Sequence, residues 1–207
     1  MVKPGARVNA LRAIMNGLGH VETASKPSAP RLNSLPNPAA ARVMDLYRAL
    51  GGILDAPKLA PGSWDLAYAD GLLVELDEDM HFNRYRGITL DCPWASQLPW
   101  SDPYRRYVVE GEGRAGRGGK RWTNSSAEKM FGPADPDGVF EVNGAPRWKQ
   151  RAIYDAMKDA AAAMGQVKLA RLSIYDSVEG HLLNDVLYGR IEVDPRGVEE
   201  LVVQRTN

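Results

Sequence analysis

The stretch that most constrains the fold is Asp65–Asp77, DLAYADGLLVELD. Two short apolar runs flank Asp70-Gly71, the strongest short-range signal for a β-hairpin. The turn length sets the register. A two-residue turn at Asp70-Gly71 pairs Ala69 with Leu72 and sends the bulky residues of the two strands to opposite faces. A three-residue turn, with Gly71 left-handed as a G1 bulge, pairs Tyr68 with Leu72 and Leu66 with Val74. Register follows the arrangement that keeps bulky apolar residues together, so the three-residue turn is expected. Asp65 then stands opposite Glu75, and Asp77 falls on the same face two residues on.

Three ionised carboxylates within about 4.5–7 Å of one another repel unless a cation lies between them. Hard oxygen donors suit Mg²⁺ or Mn²⁺. An ion held by carboxylates and phosphate oxygens is the recurring arrangement of phosphodiester chemistry. His81 follows four residues after Asp77 as a candidate base, and Arg84 and Arg86 follow as candidate phosphate contacts. The bland alternative is a solvated hairpin face, which alternation produces routinely.

Around the hairpin the chain alternates periodic and irregular segments. Val8, Leu11, Met15 and Leu18 lie at helical spacing before Gly19, and a proline-rich connector follows over 23–38. Residues 1–36 are therefore expected to form an arm packed on the domain or on a second copy of the chain, a possible homodimer contact, with the domain proper at 37–207. Asn37-Pro38 opens a helix carrying Val43, Leu46, Tyr47 and Leu50, stopped by Gly51-Gly52. Residues 83–147 read as a long irregular insertion, with a short helix from Ser125 to Gly132 and a satellite core of Trp94, Trp100, Tyr104 and Tyr107. A helix over 147–164, a strand over 167–175, a helix over 181–191 and a last strand at Glu200–Gln204 complete a mixed α/β sheet flanked by helices.

The run GEGRAGRGGKRW carries Arg114, Arg117, Lys120 and Arg121. It reads equally as a solvated loop or as a phosphate-contacting loop with Trp122 free to stack on a base. With 26 Lys+Arg against 26 Asp+Glu the chain has no net charge, which excludes a histone-like protein but not a local basic patch. One cysteine, Cys92, excludes an internal disulfide and a Cys-rich zinc site. It fits a cytoplasmic compartment. No apolar run approaches the roughly 18 residues of a membrane span.

SWDLAYADGLLVELDEDMHFNRYR resembles the core of the PD-(D/E)XK, or restriction-endonuclease-like, nuclease superfamily. Asp65 and Glu75 match that family's metal-holding Asp and Glu. Glu75, Asp77 and His81 are similar to the branch of very-short-patch-repair endonucleases. The resemblance implies a restriction-endonuclease-like mixed sheet and Mg-dependent hydrolysis of phosphodiester bonds, of DNA rather than RNA. It implies Asp65, Glu75 and Asp77 at the metal, with His81 or Lys149 taking the place of the family's lysine, and Gln150 at the substrate. Two departures stand: Trp64 replaces the usual proline, and Asp77 occupies the position of the catalytic lysine. A catalytically inactive nucleic-acid-binding or assembly subunit on the same scaffold is the alternative, and a globular interaction protein with merely superficial acids is a third.

Overall fold

The computed structural model describes residues 5–207. The chain forms two compact units: one takes the residues up to Ser28, Ser63–Glu78 and Gly165–Asn207, the other Ala29–Gly62 and Asp79–Met164. This division differs from an arm at 1–36 followed by a single domain.

The first unit is built on the hairpin. β1 (Leu66–Ala67) pairs antiparallel with β2 (Leu72–Asp77), in the register Leu66 to Val74 and Ala67 to Leu73. Tyr68 N–H donates to the Leu72 carbonyl at 2.8 Å, and Gly71 takes φ 86°. This is the three-residue turn, with glycine where a side chain would be strained. β2 pairs parallel with β3 (Lys168–Ser173), Glu75 opposite Arg171 and Asp77 opposite Ser173. A parallel neighbour needs a long crossover, and here the connection is the whole of residues 79–164. Leu72, Val74, Leu76, Ala170, Leu172 and Ile174 form one face of this three-stranded sheet and belong to a single buried cluster.

The helices α1 (Ala6–Gly17), α7 (Leu183–Leu187) and α8 (Pro195–Gln204) contribute to the same cluster. Leu11 and Met15 of α1 are fully buried in it. The first helix is therefore not an arm, because its apolar stripe is used inside its own unit. The last element is a helix, not the expected strand. Asp194 accepts from Arg196 N–H at its start, Pro195 follows, and Val198, Leu201 and Val202 are buried at helical spacing. The expected helix over 181–191 shortens to α7, with His181–Leu182 forming β5 against β4 (Ser177–Val178).

The second unit is helical. α2 (Asn37–Ala49) starts one residue earlier than its Asn37 cap implied. The insertion is more ordered than its sequence suggests, with α3 (Arg84–Leu90), α4 (Ser101–Gly111) and α5 (Ser125–Phe131). Trp94, Trp100, Tyr104 and Tyr107 are all buried, as a satellite core requires. α5 is capped by Asn124 rather than Ser125. α6 (Pro146–Ala163) is buried nearly all round, polar residues included. Among the described residues no helix is long and apolar enough to cross a membrane.

Candidate functional site

The face of the sheet opposite the apolar cluster is polar. Asp65 N–H donates to Glu75 Oε1 at 3.3 Å, and Leu76 N–H donates to Asp65 Oδ2 at 2.9 Å. The two carboxylates are thus side by side because the register places their residues opposite each other. Asp65 is half-buried, whereas Glu75 and Asp77 are only 5% and 1% exposed. A solvated hairpin face, and with it the reading of the acids as superficial, does not describe this arrangement.

Arg171 completes the face. Fully buried on β3, it donates from Nη1 to Asp77 Oδ2 at 2.7 Å. A guanidinium thus neutralises the third carboxylate from within the fold. Further along, Asp176 Oδ2 accepts from Ser173 N–H at 2.8 Å and Oδ1 from Arg205 Nη2 at 2.7 Å.

His81 lies in the second unit. Its Nδ1 is 2.7 Å from Asp155 Oδ2, and Arg151 Nη1 is 2.5 Å from its Nε2. A guanidinium only donates, so Nε2 accepts and Nδ1 carries the proton given to Asp155. The imidazole is neutral, held in one tautomer by a buried carboxylate, with its basic nitrogen turned to Arg151.

The other expected contacts divide by environment. Arg86 is fully buried and bonds Asp159 Oδ2 at 2.7 Å, so it is not exposed to a phosphate. Arg84 grips Glu112 through Nε and Nη2 and lies 3.7 Å from the centre of the Phe140 ring. Burial works against ionised Glu112, but the bonds from Arg84 prevail and hold its pKa below the usual carboxylate range. Gln150 is enclosed, donating to Ser126 Oγ at 3.0 Å and accepting from Arg147, which leaves no face for substrate. Lys149 donates to Asn143 Oδ1 at 2.6 Å among aromatic rings, in a separate cavity of the second unit rather than beside a carboxylate.

Arg114, Arg117, Lys120 and Arg121 are exposed, in two short 3₁₀ turns over Glu112–Arg114 and Gly119–Arg121. Trp122 is not available for stacking on a base. It is buried against Phe140 and Trp148, and its Nε1 donates to the Asp135 carbonyl at 2.8 Å.

The residues that sequence reasoning missed are Arg171, Arg151 and Asp155. Charges at i and i+4 on α6 (Arg151, Asp155, Asp159) were the available signal, although such spacing usually marks a solvated helix face.

A mixed α/β protein with a carboxylate-bearing sheet face is what fold and site define. Residues 45–189 match the model of DUF7255, a family of unknown function, and the chain belongs to that family. No curated protein and no solved structure matches it. The matched span includes the hairpin, His81, α6 and β3.

Proposed function

We propose that the protein is a metal-dependent nuclease of restriction-endonuclease-like architecture, hydrolysing phosphodiester bonds of DNA. The observation that supports the reading most directly is the pairing of Asp65 with Glu75 on the polar face of the sheet. The order of hairpin, long crossover and parallel strand is in keeping with it. Asp65 and Glu75 offer hard oxygen donors that fit Mg²⁺ or Mn²⁺. Asp77, already bonded to Arg171, fits as an outer group orienting water rather than as a full ligand. The ion would lower the pKa of its water and neutralise charge on the scissile phosphate. His81, a neutral imidazole with a basic Nε2, is the base candidate on its own chemistry.

The test uses charge-removing variants that keep hydrogen-bond acceptors. With Mg²⁺ or Mn²⁺ the wild type cleaves duplex DNA, and Asp65→Asn and Glu75→Gln each abolish cleavage without lowering the melting temperature by more than a few degrees. Full activity in excess EDTA, or wild-type rates in both variants, sinks the mechanism.

The Arg171–Asp77 ion pair favours a second reading, an inactive nucleic-acid-binding or assembly subunit, because the fold itself supplies a cation. DNA binding without cleavage under any divalent ion selects that reading.

A further inference from the structure

The second unit contains a cavity of about 320 Å³ that the proposed chemistry does not use. Gly51, just beyond α2, Arg84 and Tyr85 of α3, Phe140 and Asn143 of the loop before α6, and Lys149 of α6 are the lining residues that matter. Two of them are cations, and no carboxylate lines the space.

Lys149 is only 6% exposed. Its ammonium makes one hydrogen bond, to Asn143 Oδ1, and lies 5.3 Å from the centre of the Tyr85 ring and 5.9 Å from that of Phe131. An ammonium has three donors, so two remain for the cavity. The neighbouring acid, Asp135, is engaged elsewhere. Its Oδ2 accepts the backbone N–H groups of Val142, Asn143 and Gly144 at 2.9, 3.0 and 2.9 Å. Gly51 keeps the approach open, because a Cβ there would lie 3.3 Å from Nζ. Arg84 is neutralised by Glu112 through Nε and Nη2, while its Nη1 makes no bond among the described residues. The uncompensated charge of the cavity is therefore the ammonium itself. Burying a cation without a counter-charge is costly, and burial lowers the pKa of Lys149. A bound anion would supply what the fold withholds.

We propose that this cavity is a phosphate-monoester site, in which the Lys149 ammonium and Arg84 Nη1 hold the phosphate and the Tyr85 and Phe140 rings cover the group that carries it. Donors arriving from two elements suit a tetrahedral dianion. The volume lies at the lower end of small-molecule sites, enough for a phosphate and one sugar or ring but not for a duplex. The inference stands apart from the nuclease reading, since none of its residues belongs to the carboxylate face. A free phosphate ester and the phosphorylated end of a nucleic-acid strand share this chemistry.

Calorimetric titration of the full-length protein separates the outcomes. The probes are inorganic phosphate, ribose 5-phosphate, and a short single-stranded oligonucleotide with and without a 5′-phosphate. Phosphate and ribose 5-phosphate are expected to bind. Lys149→Met should weaken both by about tenfold or more, the loss of a charged hydrogen bond. Asn143→Asp, which places a carboxylate against the ammonium and removes no cation, should weaken them as well, so the result does not depend on one variant folding. Binding of the oligonucleotide only when phosphorylated, and more tightly than ribose 5-phosphate, assigns the site to strand ends; equal affinity assigns it to small esters. Absence of binding by every phosphate probe, or unchanged affinity in both variants, overturns the proposal.

Discussion

Two neighbouring ionisable groups on the loop before α6 and on α6 itself are perturbed with opposite consequences for stability. Asp135 is held below the usual carboxylate range by the backbone amides of Gly144, Val142 and Asn143. Its contribution is present above the unfolded carboxylate pKa and is lost as pH falls through the lower folded value. Lys149 is also lowered, but by burial, with Asp135 opposing. For a base the sign reverses: between the folded pKa and the unfolded value of about 10.4, the unfolded chain carries a proton that the fold has released. Stability from this group therefore rises with pH across that window. Urea unfolding of Lys149→Met against the parent should show the variant relatively more stable near neutral pH, with the advantage shrinking as pH approaches about 10.4. A difference that stays flat with pH would mean that Asn143 and the two rings fully compensate the buried charge.

At the scale of elements, what could be read from the sequence was whatever rested on short-range periodicity with a punctuating residue. The hairpin register followed from one rule about bulky residues and from Asp70-Gly71, and it placed Asp65 against Glu75 correctly. α6 was legible through Ile153, Ala156, Met157 and Ala160, with Gly165 after it. α8 was misread because Leu201, Val202 and Val203 favour strands by type, whereas the Asp194-Pro195 start and the Val198, Leu201, Val202 spacing decide for a helix. α4 had a stripe, Tyr104, Tyr107 and Val108, hidden among aromatics that read as a loop cluster. Arg86 and Arg171 were beyond reach. Arginine defaults to the surface, and each is buried by a partner far along the chain, Asp159 at 73 residues and Asp77 at 94. α1 was found but misassigned, since periodicity shows a stripe and not what covers it. Its place in the core makes a clear expectation: Leu11→Ala should cost about 3 kcal/mol in urea unfolding. A cost near zero would return α1 to the status of an arm.

For the molecule as a whole, zero net charge conceals an uneven distribution. The carboxylate face of the first unit is buried and partly neutralised by Arg171, whereas Arg114, Arg117, Lys120 and Arg121 of the second are exposed on one short segment. Under the nuclease reading, metal chemistry and backbone binding then fall to different residues, and they should separate experimentally. Each phosphate contact on duplex DNA adds roughly 0.9 to the slope of log affinity against log salt. Replacing all four cations by alanine should weaken binding to every sequence alike and flatten that slope by up to about 3.6. Cleavage at saturating DNA should change little, because Asp65 and Glu75 are untouched. Unaltered affinity and slope would make the segment a solvated connector. Normal binding with poor cleavage would instead assign these cations to the chemical step, where charge developing on the scissile phosphate, and not the length of bound backbone, is what they neutralise.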